Sequence, residues 1–276
     1  MLHNCDLCGS SEAIEVPFAR EYTGNQPIHI CCGCGFVFVR ARRSARAIAD
    51  SWSGLFDGVY APQSPAVLAR LTYVAETMRQ RIRPAGKSVC DIGAGDGSFL
   101  EMMRAMCARP FGIEPSAANE RLRSLDIPHF AGTIEEFPGG LFDIVTVLWT
   151  LENCADCIAM LRAARRLLKP DGRLVVATGS RILVPFKKPL HCYLGKNPAD
   201  THAFRFSATT LFRALNRSGF RLSYANSFID SDVLLVMGTP GEPPNAPFMD
   251  DPRVVADFFR RWHADTREHW QESWRP

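Results

Sequence analysis

Four cysteines set the first chemical constraint. Cys5 with Cys8, and Cys31 with Cys34, form two C-x-x-C pairs with 22 residues between the pairs. A two-residue spacer lets both thiolates of a pair reach one tetrahedral ion at about 2.3 Å, and two such pairs close a four-thiolate zinc site. Gly9 and Gly35 directly follow the second cysteine of each pair, where a knuckle turn needs the positive φ that glycine adopts cheaply. Four sulfurs leave no open position for a substrate, so the expected Zn2+ is structural. Cys32 reads as a bystander. Cys154 and Cys157 have no partner pair and open a helix, so they read as helix and core thiols.

The second constraint is the segment DIGAGDGSF. Asp91 ends a strand, and Gly93, Ala94, Gly95 and Gly97 form the turn into a helix, where glycine lets backbone approach a ligand. Parallel sheets bind ligands at this carboxyl edge. Glu114 ends the next strand, FGIE, 21 residues after Gly93. A carboxylate there can accept hydrogen bonds from ribose hydroxyls of a nucleoside-containing cofactor. The glycine turn alone does not separate such proteins from nicotinamide enzymes, because Ser98 at the sixth position is also small.

These residues need elements to position them. Ser64 and Pro65 open a helix whose apolar face is Val67, Leu68, Leu71, Val74, Met78 and Ile82, and Pro84 and Gly86 end it. From Ser88 strands and helices alternate: SVCDI, a helix after Gly97, FGIE, a Ser116-capped helix, a short strand near IPHFA, the buried strand FDIVTVLW, the helix DCIAMLRAARRLL, a KPDG turn and the strand RLVVAT. That order requires crossovers, and therefore a parallel sheet covered by helices. An irregular stretch, 179–206, leads to a helix capped by Ser207, two strands able to pair antiparallel, a Pro/Gly-rich segment and a helical tail. The expected division is a zinc-ribbon module at 1–40, a connector at 41–61, an α/β catalytic domain at 62–240 and a linker with a C-terminal helix at 241–276.

Composition bounds the partners. With 46% hydrophobic and 22% charged residues over 276 positions, the chain reads as one globular domain with an appendage. No run approaches the roughly 18 apolar residues of a membrane span. The start MLHNCDLCGS lacks the basic and apolar regions of a signal peptide, so a cytoplasmic location is expected. A net charge of +3 argues against a dedicated nucleic-acid binder. The densest basic run, Arg40, Arg42, Arg43 and Arg46, reads as a solvated connector, with a phosphate-binding patch as the alternative.

The ordered set of Asp91 before the glycines, Glu114, KPDG before the fifth strand and a closing antiparallel pair resembles the class I S-adenosylmethionine-dependent methyltransferases. The resemblance spans residues 60–238 and implies a Rossmann-like seven-stranded sheet, mostly parallel with one antiparallel strand. It assigns Asp91, Gly93, Ala94, Gly95, Gly97, Glu114 and Trp149 to the cofactor. The adenine-contacting segment matches GTIEEFP, with Thr133 where an acid is usual and Ile134 beside it. In LWTLEN, Asn153 stands where histidine is common.

HICCGCGFVFVRARRS is similar to the ribbon of zinc-containing methyltransferases from sugar and natural-product pathways, including nucleotide-sugar C-methyltransferases. WSGLFDGVY looks like that family's tyrosine-rich segment, which implies a cofactor contact for Tyr60. THAFRFSATTL is similar to its E-H-x-x-Y-F-S segment, with Thr201 for the acid and Arg205 for the tyrosine. The chain stops before the family's large C-terminal domain. Methyl transfer needs an aligned acceptor and a base for its proton; His202 is the first candidate, with His191 and Tyr193 behind it. A small hydroxylated metabolite is the expected acceptor. A ribosomal-RNA methyltransferase and a non-catalytic cofactor-binding protein are the alternatives.

Overall fold

A computed structural model of the chain describes residues 2–56, 64–186, 188–195, 202–227, 233–242 and 248–270. The amino-terminal cysteine segment folds as β1 (Ala13–Glu15), α1 (Ala19–Tyr22), β2 (His29–Cys31) and β3 (Val37–Phe38), an antiparallel ribbon with Ile14 opposite Ile30 and Ile30 opposite Val37. A fourth strand, β9 (Phe204–Arg205), pairs with β3 and comes from the far end of the irregular stretch. The expected connector contains a helix, α2 (Ala45–Phe56).

α3 (Pro65–Arg81) starts as its sequence dictates, with Ser64 Oγ accepting the Val67 N–H at 3.4 Å and Pro65 in the first turn. Leu71, Val74 and Met78 are buried, whereas Leu68 stays exposed. Then follow β4 (Ser88–Ile92), α4 (Ser98–Ala105), β5 (Arg109–Ile113), α5 (Asn119–Ser124), β6 (His129–Phe130), β7 (Phe142–Leu148), α6 (Cys157–Arg166) and β8 (Leu168–Thr178). After β8 come α7 (Leu190–Leu194), α8 (Ala208–Arg217), β10 (Phe220–Ala225), β11 (Leu234–Pro240) and α9 (Pro252–His269).

Seven strands form the main sheet in the order β10-β11-β8-β7-β4-β5-β6, with β11 antiparallel to both neighbours and the remaining pairs parallel. Strand residues alternate between faces, the period-two consequence of the pleat. Val89, Ile144 and Val175 pack with α3 and α4, while Cys90, Val145 and Val176 pack with α6 and α8 on the other side. A third core joins ribbon residues Ile28, Ile30 and Val37 to Leu190 of α7 and Phe258, Phe259 and Trp262 of α9.

Two local expectations change. KPDG is not a turn ahead of its strand; β8 runs through it, with a register shift between Phe142 and Ile144 of β7 that absorbs the extra residues as a bulge. Ser116 does not cap its helix directly. Its Oγ accepts the Ala118 N–H at 3.3 Å in a preceding turn, and α5 begins at Asn119.

Candidate functional site

The strand order reverses beside β4, because β5 lies on one side of it and β7 on the other. Such a switch point opens a crevice at the carboxyl ends of the strands. A cavity of about 430 Å3 sits there, lined by Asp91, Gly93, Ala94 and Gly95 after β4, by Glu114 after β5, and by Thr150 and Asn153 after β7.

The glycines serve different ends. Gly93 has φ +78°, and a Cβ there would stand 2.3 Å from Thr150 Oγ1; Gly97, at φ +81°, would meet Leu122 at 2.6 Å. Both are therefore demanded by close packing within the protein. Gly95 faces open space, and its N–H donates to Glu114 Oε2 at 2.8 Å. The Ser116 N–H donates to Glu114 Oε1 at 2.8 Å. Each oxygen of this buried carboxylate holds one backbone donor and keeps a lone pair for another. Asp91 is also buried, accepts the Thr146 hydroxyl at 2.5 Å, and has its pKa raised by burial, against that hydrogen bond.

Thr133 and Ile134 line the cavity, and so does Glu135, a carboxylate two positions beyond Thr133. Trp149 lines it with φ +53°, a conformation costly for a bulky side chain, and its buried indole Nε1 has no hydrogen-bond partner among the described residues. Asn153 Nδ2 donates to the Trp149 carbonyl at 3.0 Å and fixes the turn after β7. The sequence reading did not anticipate the opposite wall: Ala45, Ile48, Ala49 and Trp52 of α2, with Arg70 and Leu71 of α3. The amphipathic spacing of 45–56 was the available signal. Ser53 Oγ accepts the Ala117 N–H at 3.0 Å and holds α2 over the Glu114 turn.

His202, His191 and Tyr193 do not line this cavity. His202 is half-buried, its Nδ1 paired with Ser180 Oγ just beyond β8 and its carbonyl accepting Arg205 Nη1 at 2.9 Å. Burial, with Arg205 and Lys188 adding to it, lowers its pKa to about 3. His191 is buried facing Tyr22, and the Tyr193 ring packs 4.6 Å from that of Trp262. Arg205 is fully buried, donates to two main-chain carbonyls, and its Nε has no partner among the described residues. Tyr60 and Thr201 lie outside the described residues.

At the ribbon, the Sγ atoms of Cys5, Cys8, Cys31 and Cys34 lie within 4.8 Å of one another, with Cys5 to Cys34 at 3.6 Å and Cys8 to Cys31 at 3.3 Å. Four sulfurs each about 2.3 Å from one ion would be about 3.8 Å apart, so the set fits a tetrahedral zinc. Contact with the Cys31 sulfur, reinforced by burial, pushes the Cys5 and Cys34 thiols up. The other C-x-x-C pair is different. Cys154 and Cys157 are buried with their pKa values raised by desolvation, as structural thiols are.

The fold and cavity define a nucleoside-cofactor domain of the methyltransferase kind, and comparison with known proteins agrees. A family model described as a methyltransferase domain matches residues 66–224, more than half of the chain. The chain belongs to this family and carries a class I S-adenosylmethionine-dependent methyltransferase domain. Among curated relatives, a ubiquinone biosynthesis O-methyltransferase of Xanthomonas axonopodis pv. citri is 33% identical over 150 residues, covering 51% of this chain and 61% of that protein. The protein of the same name from Sodalis glossinidius is 31% identical, covering 49% of this chain and 57% of its own length. The chain thus spans about three fifths of these relatives.

Solved structures share the fold. A Haloferax volcanii methyltransferase in complex with the Trm112 activator gives a TM-score of 0.56 at 18% identity, covering 72% of this chain and 98% of that one. The 1,6-didemethyltoxoflavin-N1-methyltransferase of Burkholderia thailandensis, with bound S-adenosylhomocysteine, gives 0.55 at 15% identity, covering 75% and 96%. Among the described residues no helix is long and apolar enough to cross a membrane.

Proposed function

We propose that the chain transfers a methyl group from S-adenosylmethionine to the oxygen of a small hydroxylated metabolite. The observation that carries the reading is Glu114, a buried carboxylate braced by two backbone donors, on the wall of a cavity at the strand switch point. Its remaining lone pairs suit the two ribose hydroxyls, Gly95 leaves backbone space for the methionine portion, and Trp149 Nε1, unpartnered among the described residues, offers a buried donor. Thr133, Ile134 and Glu135 suit the adenine end. When bound, the cofactor supplies an electrophilic methyl on its sulfonium.

The chain's own task is to align the acceptor, exclude water and remove a proton. As the base we propose His202, on its place beside Ser180 at the carboxyl end of β8; burial lowers its pKa and makes it a weak base here, so the assignment rests on that placement. The relatives named O-methyltransferases support oxygen as the atom methylated. The resemblance of the ribbon's sequence to zinc-containing sugar and natural-product methyltransferases favours a nucleotide sugar or natural-product intermediate as the acceptor, and the relatives' names favour a ubiquinone precursor.

Calorimetry with S-adenosylhomocysteine tests the cofactor site, and saturable binding is expected; no binding would end the proposal. Methyl transfer from labelled cofactor to separate panels of nucleotide sugars and of catechol-type phenols then chooses the acceptor class. For the four cysteines we propose one structural zinc. The purified chain should contain one zinc per molecule and lose it in Cys8→Ser.

A further inference from the structure

The cysteine module touches the cofactor cavity through one buried side chain. Arg42 lies in the basic run that reads as a solvated connector, yet its side chain is only 2% exposed. It forms a two-pronged ion pair with Asp6, Nη1 to Oδ1 at 2.7 Å and Nη2 to Oδ2 at 2.5 Å. Asp6 is 8% exposed and sits inside the first knuckle, between Cys5 and Cys8. Nη1 also donates to the Ala155 carbonyl at 3.1 Å, Nε donates to the Val39 carbonyl at 2.8 Å, and the guanidinium stacks 4.5 Å from the Phe204 ring centroid. Ala155, with Asn153 and Cys154, forms the cavity wall after β7. The same loop is tied again where the Phe204 N–H of the ribbon strand β9 donates to the Glu152 carbonyl at 3.1 Å.

We infer that Arg42 is a positioning residue that sets the 153–155 wall of the cofactor cavity from the Asp6 knuckle, so that the cysteine module tunes cofactor affinity. The inference rests on the cofactor-site reading above. A planar guanidinium is suited to the task because its rigid fork fixes Asp6 and Ala155 relative to each other, which a single-point ammonium does not. The knuckle itself is held from elsewhere: Arg213 and Arg217 of α8 both donate to the Leu7 carbonyl, at 3.0 and 3.1 Å, and the Asp250 N–H donates to the Cys34 carbonyl at 3.2 Å. Arg42 thus has a fixed point on one side and the cavity wall on the other.

The test is Arg42→Met in the full, zinc-loaded chain, which keeps most of the stacking volume and removes the fork. S-adenosylhomocysteine should bind about tenfold more weakly, within the range by which such intermediate residues modulate binding. Amide hydrogen exchange should quicken at residues 151–157 and stay unchanged at the glycine turn, 93–97. Arg42→Lys should recover part of the affinity. Wild-type chain that fails to bind would instead refute the cofactor reading. A folded Arg42→Met chain with wild-type affinity, measured well below its melting temperature, overturns the inference, because a merely structural role would lower only the melting temperature. If Arg42→Met does not fold, Asp6→Asn breaks the same pair with little change of shape and carries the same expectations.

Discussion

Replacing Glu114 with glutamine removes one charge and leaves the shape almost unchanged. In the protein each carboxylate oxygen faces a backbone N–H, from Gly95 and from Ser116, both at 2.8 Å. Glutamine offers one oxygen and one NH2, so one of those donors meets another donor. A buried donor deprived of its partner costs about 1–3 kcal/mol, which sets the expected loss of folding stability. Binding suffers separately, because hydrogen bonds from the ribose hydroxyls to a charged acceptor are worth about 1.5–3 kcal/mol. That corresponds to a dissociation constant raised roughly 10- to 150-fold. Calorimetry with S-adenosylhomocysteine and thermal unfolding of the same preparation separate the two effects. An unchanged dissociation constant alongside a lowered melting temperature would mean that Glu114 only braces the glycine turn, and the ribose assignment would fall.

Further outcomes follow from other parts of the site. Gly93→Ala adds a Cβ 2.3 Å from Thr150 Oγ1 at φ +78°, so it should cost about 1–3 kcal/mol of stability and weaken cofactor binding through the displaced Thr150; a wild-type melting curve would contradict the packing argument. Glu152 is buried, and desolvation raises its pKa to about 7. The folded state therefore holds a proton that the unfolded chain releases near pH 4.5, so stability present below that pH should fade as the pH rises through 7, by up to about 3 kcal/mol. Glu152→Gln should remove that fall in urea titrations at pH 5 and 8, and identical pH dependence in the two proteins would refute the assignment. His202→Asn should lower turnover by about a hundredfold or more with S-adenosylhomocysteine binding intact; retained turnover would rule out His202 as the base.

Much of the sheet was legible because each buried strand is a short apolar run bounded by turn residues, as in SVCDI and FDIVTVLW. The glycine turn and Glu114 were legible for a related reason: their roles depend on local backbone geometry and strand ends. The features that escaped depend on partners remote in sequence. Nothing local marks Arg42 as buried while Arg40 and Arg43 beside it are not, since its burial comes from Asp6, Ala155 and Phe204 closing around it. The wall supplied by α2 escaped because a twelve-residue helix, judged alone, resembles any amphipathic connector. The bulge in β8 escaped because KPDG has strong turn chemistry, which tertiary pairing with β7 overrides.

The ribbon's last strand has a consequence for how the chain is made. Val37 pairs with Arg205, so the sheet that begins at residue 13 gains its edge only after five of the main sheet's seven strands have been synthesised. The knuckles need only the first thirty-four residues and could gather a metal early, while β3 waits with an unpaired edge for β9. Pairing over such a distance is slow to find, and it makes completion of the module wait on most of the larger domain. Cutting the ribbon away would strip β9 of its partner strand and uncover the buried Arg205, so the two parts should be expressed, truncated and evolved as one object.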